Sequence, residues 1–279
     1  KENEARKIKA DTIKSSILLA EGLKNSKHTV QLFKLSNNTA YTYFYGFELA
    51  KGSKILKATP LPQRKIEFYG NSITAGHGVD VLPGHDDSGS PYYFNNYWTY
   101  AARTARHFNA QYSCIARSGI GIMVSWFPEI MPEVYDRLNP ADSTSKWNFS
   151  KYTPDIVVIN LFQNDSWIVN NPQNAQFIAR FGTTAPTEAF IIKSYQNFIK
   201  SIRSKYPNSS IICALGNMDA TRVGSAWPGY IEKAAKELND AKIYTHFFPY
   251  KDTPGHPKVA EQKAMADDLI EFIDKNIKW

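Results

Sequence analysis

The sequence of 279 residues has only two cysteines, Cys114 and Cys213, and lacks any apolar run of about 18 residues. Two cysteines cannot form a disulfide framework or a four-cysteine zinc site, and without a long apolar run we expect no transmembrane helix. The 26 acidic residues are outnumbered by 33 Lys and Arg. The basic residues are spread along the chain, which favours a solvated surface over a nucleic-acid-binding one.

The remaining composition is that of a globular protein with one large domain or two modest ones. Charged residues at 21% and hydrophobic residues at 43% exclude global disorder. Aromatic residues reach 14%. Most of them must pack in the core, but such a chain can also present surfaces on which sugars stack.

Residues 1–62 differ in pattern from the rest. Short apolar runs at 16–20, 29–35 and 41–49 predict strands, and the last alternates in the manner of a half-buried strand. The Pro-containing stretch 59–62 is typical of a short, stiff linker.

From residue 63 onward, strands and helices alternate. Continuous apolar runs predict strands at 65–69, 111–116, 155–161, 209–215 and 242–247, and helical periodicity predicts helices near 93–108, 187–206, 229–238 and 257–273. This alternation predicts a five-stranded parallel sheet with helices on both faces. We expect the long loops 79–91, 129–154 and 169–186 to lie near the functional site.

Four residues follow predicted strands or precede the last helix: Ser72, Gly119, Asn164 and His256. Because the carboxyl ends of parallel strands share one edge of a sheet, we expect these residues to meet there. Acyl transfer needs a nucleophile, a base and donors for an oxyanion. Ser72 fits the nucleophile and His256 the base. The backbone N–H groups of Ser72 and Gly119, with the Asn164 amide, would form the oxyanion hole. Taken alone, Asn71-Ser72 is equally consistent with a helix cap.

Taken in order, these blocks resemble those of the SGNH (GDSL-like) hydrolases, with matches at 70–74, 119, 164–165 and 256–257. The stretches 28–32, 46–49, 64–68 and 256–260 are similar, more narrowly, to the family-two carbohydrate esterases. The resemblance implies a three-layer α/β/α hydrolase domain over 63–279. It also implies that 1–62 are the C-terminal part of a β-sandwich (jelly-roll) domain with its linker.

The sequence departs from the superfamily pattern beside the nucleophile and in the third block. Asn71 stands where Asp is usual, and Phe162-Gln163 replace Gly-Thr. We expect Phe162 and Gln163 to make the pocket wall bulkier.

A further departure concerns the acid that orients the catalytic histidine. In the superfamily this acid lies three residues before the histidine, and here that position is Thr253. Asp252, Thr253 and a backbone carbonyl near Pro254 are the candidates for orienting His256. Some family-two esterases work with a Ser–His dyad, so the missing acid does not imply inactivity.

Trp126, Trp167 and Trp227 follow predicted strands and are candidates for sugar binding, with core packing as the alternative. His246 is the other candidate base. Asp165 is expected to be a hydrogen-bonding strut beside Asn164.

The cluster His77, His85, Asp86 and Asp87 could bind a metal, but no known zinc or calcium ligand spacing occurs, so a solvated loop is the preferred interpretation. We predict no metal and no cofactor.

The resemblance implies a serine esterase that removes acetyl groups from a xylan- or mannan-like carbohydrate, outside the cell or at its surface, with no nucleic-acid or membrane partner. The alternatives are an esterase for peptidoglycan or lipid-like esters, or a carbohydrate-binding protein with a degenerate site.

A jelly roll needs about eight strands, and residues 1–62 supply three or four. We therefore expect an upstream segment to cover an aromatic face that includes Tyr41, Tyr43 and Tyr45.

Overall fold

A computed structural model of the protein describes residues 6–9, 13–37, 42–87 and 90–279. The chain divides into two compact units. The smaller unit comprises Lys1–Phe33 and Thr39–Ala58, and the larger comprises Lys34–Asn38 and Thr59–Trp279.

The larger unit is built on one parallel sheet. Its strands are β1 (Lys65–Gly70), β2 (Gln111–Ala116), β3 (Ile156–Asn160), β4 (Ser210–Leu215) and β5 (Ile243–Phe247). The strand order is β2-β1-β3-β4-β5, and every neighbouring pair is parallel. The predicted five-stranded parallel sheet is thus confirmed.

The helices of the larger unit are α1 (Ser72–Ala75), α2 (Tyr100–His107), α3 (Met131–Val134), α4 (Gln163–Ile168), α5 (Ala175–Phe181), α6 (Glu188–Lys205), α7 (Trp227–Glu237) and α8 (Val259–Asn276). The predicted helix at 93–108 begins later than expected. Two 3₁₀ turns, Pro91–Tyr93 and Asn96–Trp98, precede it, and the Thr99 hydroxyl then caps α2 by accepting the Ala102 N–H.

The core lies on both faces of the sheet because successive strand residues point to opposite sides. Ile66 and Phe68 of β1 pack with α2 and α8, whereas Tyr69 packs on the other side with α6 and α7. Helices therefore cover both faces of the sheet, as in a three-layer α/β/α fold. The carboxyl edge of the strands is where a functional site is expected in such a fold.

The register of the sheet places the carboxyl ends of β1 and its two neighbours, β2 and β3, side by side. Gly70, the last residue of β1, pairs with Ala116 of β2 and with Asn160 of β3. The segments that begin after these residues carry Ser72, Gly119 and Asn164 respectively, so the sheet itself brings them to one edge.

The two cysteines are free and lie in the sheet, Cys114 in β2 and Cys213 in β4. Burial raises the pKa of the Cys114 thiol to about 11 and that of Cys213 to about 12. Neither thiol is therefore ionised at neutral pH.

The described residues of the smaller unit, 6–9, 13–33 and 42–58, contain no helix or strand. The predicted strands at 16–20 and 29–35, and the described part of the one at 41–49, are not formed. Tyr43 and Tyr45, expected on one face of a strand, are 72% and 69% exposed, while Tyr41 lies outside the described residues. A strand forms only when a neighbouring strand pairs with its backbone N–H and C=O groups. Alternation of residue types within one segment does not provide that neighbouring strand. The jelly-roll assignment stays a prediction.

No helix within the described part of the chain is both long and apolar enough to cross a membrane.

Candidate active site

Ser72 is the first residue of α1, directly after β1. The Oδ1 atom of Asn71 caps this short helix by accepting the Ile73 N–H at 3.0 Å. The cap turns the chain sharply at the sheet edge, and the Ser72 Oγ lies 2.8 Å from Nε2 of His256, which precedes α8. The structure thus brings the predicted nucleophile and the predicted base within hydrogen-bonding distance.

The other ring nitrogen of His256 faces an acid from a distant loop. Nδ1 is hydrogen-bonded to Oδ2 of Asp87, and the same oxygen accepts the backbone N–H of His256 at 2.6 Å. Because a carboxylate only accepts, Nδ1 carries the proton and Nε2 is free to accept the Ser72 hydroxyl proton. Ser72, His256 and Asp87 therefore form a continuous hydrogen-bonded chain, the arrangement of a catalytic triad.

The prediction that Asp252, Thr253 or a backbone carbonyl orients His256 is wrong for this structure. Asp252 is exposed and lines an open pocket of about 330 Å³. The Thr253 hydroxyl bonds Glu261 and accepts from the Lys251 ammonium group at 2.8 Å, and that group also approaches the Pro254 carbonyl. Asp252 is thus exposed, Thr253 and the Pro254 carbonyl contact other groups, and Asp87 is the acceptor at Nδ1.

Sequence reasoning placed Asp87 in a solvated or metal-binding loop. It lies 169 residues before His256, so no motif spacing connects the two. The available signal was indirect: a long loop after the first strand with His and Asp side chains close together.

His77 supports both partners of this hydrogen-bonded pair. Its ring stacks on that of His256, with centroids 4.2 Å apart and planes 5° apart, and its Nε2–H donates to the Asp87 carbonyl at 2.9 Å. The adjoining Gly78 has φ +70°, and a Cβ there would lie 3.0 Å from the Cβ of His256 and 3.1 Å from that of Asp87. A glycine is needed at that position for the loop to approach so closely.

The electrostatics of the pair suit a base that is neutral at neutral pH. Burial, and then the charge of His77, lower the pKa of His256 below its ordinary value, although Asp87 opposes this. For Asp87, partial burial acts to raise the pKa, but the hydrogen bonds from His256 outweigh it and lower the pKa. Asp87 is therefore the ionised partner and His256 the neutral one.

The two predicted oxyanion donors outside Ser72 follow β2 and β3, the strands that flank β1. Gly119 follows β2 with φ +84°, a conformation that favours glycine. Asn164, on α4, is buried and donates its Nδ2 to the Ile120 carbonyl at 2.8 Å. The next residue, Asp165, accepts the backbone N–H groups of Ile122, Met123 and Val124. These bonds attach the loop that carries Gly119 to the helix that carries Asn164, so Asp165 is the strut that the sequence suggested.

The three candidate sugar-binding tryptophans have different surroundings. Trp126 is 47% exposed and donates its indole N–H to Asn164 Oδ1 at 3.1 Å. Trp167 is half-buried and donates to Asp219 at 3.1 Å. Trp227 is only 8% exposed and packs against Phe162 and Tyr230. The prediction that Trp227 contacts a sugar is therefore wrong, because its ring is part of the core.

The expected bulkier pocket wall at Phe162-Gln163 is not found. Phe162 is fully buried against Tyr195 and Trp227, and Gln163 is also buried, with its Oε1 accepting the Ala220 N–H at 3.2 Å. Phe162 has φ +85°, which explains why the superfamily usually has glycine here. The Phe162 ring packs in the core and does not line the pocket.

The other candidate base, His246, pairs with Asp268 at 2.9 Å and packs against Phe248 and Phe272. It is therefore a partner of α8 and not of Ser72.

His77, Asp87 and His256 have ligand atoms within 4.8 Å of one another, a spacing that can hold a metal ion. A metal lies in the plane of each imidazole that binds it, and the two stacked rings have nearly parallel planes. That geometry fits a hydrogen-bonded relay better than a metal centre.

Comparisons with known proteins identify carbohydrate esterases as relatives of this chain. Residues 2–60 match the family model Carbohydrate esterase 2 N-terminal. The curated cellulase/esterase CelE of Acetivibrio thermocellus is 31% identical over 277 residues, which cover 95% of this chain and 32% of CelE. The chain thus spans about a third of that protein. An acetylxylan esterase / glucomannan deacetylase of Cellvibrio japonicus is 23% identical over 98% of this chain and 74% of its own length.

Among solved structures, a family two carbohydrate esterase from Clostridium thermocellum, in complex with cellohexaose, is 32% identical with a TM-score of 0.68. The match covers 80% of this chain and 67% of that one. Identity over this share of both chains, together with the family model at the N-terminus, means that this chain belongs to the family-two carbohydrate esterases.

Proposed function

We propose that this chain removes acetyl groups from a xylan- or mannan-like polysaccharide or oligosaccharide through an acetyl-serine intermediate. The observation that carries the proposal is the hydrogen-bonded chain from Ser72 through His256 to Asp87. A free serine hydroxyl is a weak nucleophile, and a neighbouring base that is itself oriented by an acid activates it.

In the first half of the reaction, Ser72 Oγ attacks the acetyl carbonyl carbon and its proton passes to Nε2 of His256. The carbonyl oxygen becomes an oxyanion, held by the N–H groups of Ser72 and Gly119 and by the Asn164 amide. When the tetrahedral intermediate collapses, His256 returns the proton to the sugar oxygen. The sugar leaves as a free alcohol, and Ser72 remains acetylated.

In the second half, water attacks the acetyl-serine and gives one proton to His256. The second tetrahedral intermediate expels the serine oxygen, which recovers the proton from His256, and acetic acid leaves and ionises to acetate. Asp87 keeps the imidazole in the correct tautomer throughout and stabilises the imidazolium that forms twice.

The proposed carbohydrate substrate is supported by the relatives and by the surface beside the site. The Cellvibrio protein is named an acetylxylan esterase / glucomannan deacetylase, and the Clostridium esterase was crystallised with cellohexaose. Trp126 and Trp167 would contact the sugar chain, since aromatic rings offer apolar faces together with an N–H group.

Acetate release tests the proposal. We expect the chain to hydrolyse p-nitrophenyl acetate and to release acetate from acetylated xylan or glucomannan faster than from acetylated peptidoglycan. Ser72→Ala should abolish both activities without loss of thermal stability, because it removes one hydroxyl at the sheet edge. A chain that binds oligosaccharide but releases no acetate would instead be a binding protein. Peptidoglycan as the preferred substrate would make it an esterase of another class.

A further inference from the structure

Trp126 is hydrogen-bonded to both residues outside Ser72 that carry a predicted oxyanion donor, Gly119 and Asn164. Its backbone N–H donates to the Gly119 carbonyl at 3.0 Å. Its indole N–H donates to Oδ1 of Asn164 at 3.1 Å. One residue therefore joins the loop after β2 to the amide presented by α4.

The bond from the indole determines which way the Asn164 amide faces. An indole N–H can donate but cannot accept, so the atom that faces Trp126 must be the amide oxygen. On the other side of the amide, Nδ2 donates to the Ile120 carbonyl. If the amide flipped, its Oδ1 would face the Ile120 carbonyl oxygen and that hydrogen bond would be lost. With the orientation set from both sides, Nδ2 retains a second N–H, the one that an oxyanion requires.

The same residue also confines Gly119. A Cβ at Gly119 would lie 3.4 Å from Cβ and Cδ1 of Trp126 and 3.2 Å from the Phe127 ring. The Phe127 ring in turn lies 3.6 Å from the guanidinium carbon of Arg117. The Gly119 backbone thus packs directly against the Trp126 side chain, with its neighbours held by further contacts.

We propose that Trp126 is a positioning residue of the oxyanion hole, which orients the Asn164 amide and holds the Gly119 backbone. The inference rests on the proposed function. Its physical basis is that an oxyanion hole acts through donors that already point at the developing charge, so a donor free to flip loses part of its effect. The exposed face of the ring remains accessible to a sugar, but that contact would act on substrate binding.

The kinetic test uses p-nitrophenyl acetate, which has no sugar chain to stack on Trp126. Replacing Trp126 by 3-benzothienylalanine keeps the ring shape and removes only the N–H, and Trp126→Phe is the encoded counterpart. We expect kcat to fall by about 10-fold with KM within two-fold, less than the 10²–10³-fold cost of losing one donor entirely. Trp98→Phe, which alters a ring that packs against Arg103, is the matched control and should retain wild-type kcat.

A double-mutant cycle separates positioning from a general structural effect. In the Asn164→Ala background the benzothienyl replacement should alter kcat by less than two-fold, because it removes only the indole N–H and the amide that this N–H orients is gone. An equal fall in both backgrounds, or a raised KM with unchanged kcat, would overturn the proposal.

A measurement independent of activity keeps this inference distinct from the proposed function. The side-chain ¹⁵N–¹H₂ resonances of Asn164, assigned by their absence from Asn164→Ala, should shift or broaden in the benzothienyl variant. Unchanged resonances would refute the positioning role even in an active enzyme. Altered resonances in a chain without esterase activity would support the positioning and refute only the proposed function.

Discussion

The predicted oxyanion donors and the proton relay of Ser72 are built in different ways. On the oxyanion side, Gly119 and Asn164 lie within a few residues of strand ends, and the strand register brings their segments together. On the proton-relay side, His256 meets Asp87, which lies 169 residues away and comes from the long loop 79–91.

The difference shows which parts of a site the sheet determines and which parts the loops determine. Parallel strands deliver whatever follows their carboxyl ends to a common edge, so the position of the oxyanion donors follows from the strand assignment. The relay acid depends on the path of a loop, and His77 and Gly78 hold that path at the point of contact. The predictions below test this contrast, in order of decreasing expected effect.

The largest effect after loss of the nucleophile is expected at the relay acid. Asp87→Asn preserves shape but offers Nδ1 of His256 an amide in place of a carboxylate, which disturbs the tautomer and leaves the imidazolium unstabilised. We expect kcat for p-nitrophenyl acetate to fall by about 10²–10⁴-fold. A fall of less than three-fold would mean that Ser72 and His256 act as a dyad and that Asp87 is only structural.

On the oxyanion side, Asn164→Ala removes one donor and leaves the base intact. We expect kcat to fall by about 10²–10³-fold with little change in KM. Steady-state kinetics with the small ester measure both constants. A raised KM at unchanged kcat would reassign Asn164 to substrate binding and weaken the contrast between the two sides.

A smaller effect is expected at His77, and it concerns pH. His77 lowers the pKa of His256, so removing it should raise that pKa. Because activity is lost as pH falls through the pKa of the base, His77→Phe should move the acid limb of kcat/KM to higher pH.

The control for this prediction is His85→Phe, an exposed position in the same loop, which should leave the profile unchanged. Profiles measured from pH 4 to 9 distinguish the two variants. An acid limb in His77→Phe that coincides with the wild type would show that His77 does not act on the base.

The smallest effect is expected at Asp252, the acid adjacent to the motif. Its side chain is exposed, and the hydrogen bonds of His256 go to Ser72 and Asp87. Asp252→Ala should keep kcat within two-fold of wild type. A loss approaching that of His256→Ala would restore Asp252 as the relay acid and contradict the arrangement described above.

The smaller unit extends the same lesson to secondary structure. The alternation of Tyr43, Tyr45, Phe47 and Leu49 is as regular as a strand pattern can be, yet these residues form no strand. In the larger unit, less regular runs such as Ile156–Asn160 form strands with a neighbour on each side. The alternation of residue types is a property of one segment, whereas a strand forms only through hydrogen bonds to a second segment.

The sequence by itself determined the five-stranded parallel sheet, the resemblance to family-two carbohydrate esterases and the places of Ser72, Gly119, Asn164 and His256. These features depend on local residue patterns and on which residues follow each strand. Both can be identified along the sequence without knowledge of the tertiary structure. Tertiary structure decided that Asp87 and not Asp252 meets His256, that the Trp227 ring is buried, and that the Trp126 indole bonds Asn164. Each of these contacts depends on the path of a loop or the position of a long side chain in the folded protein. The spacing of residues along the sequence does not give the distance between the two contacting groups.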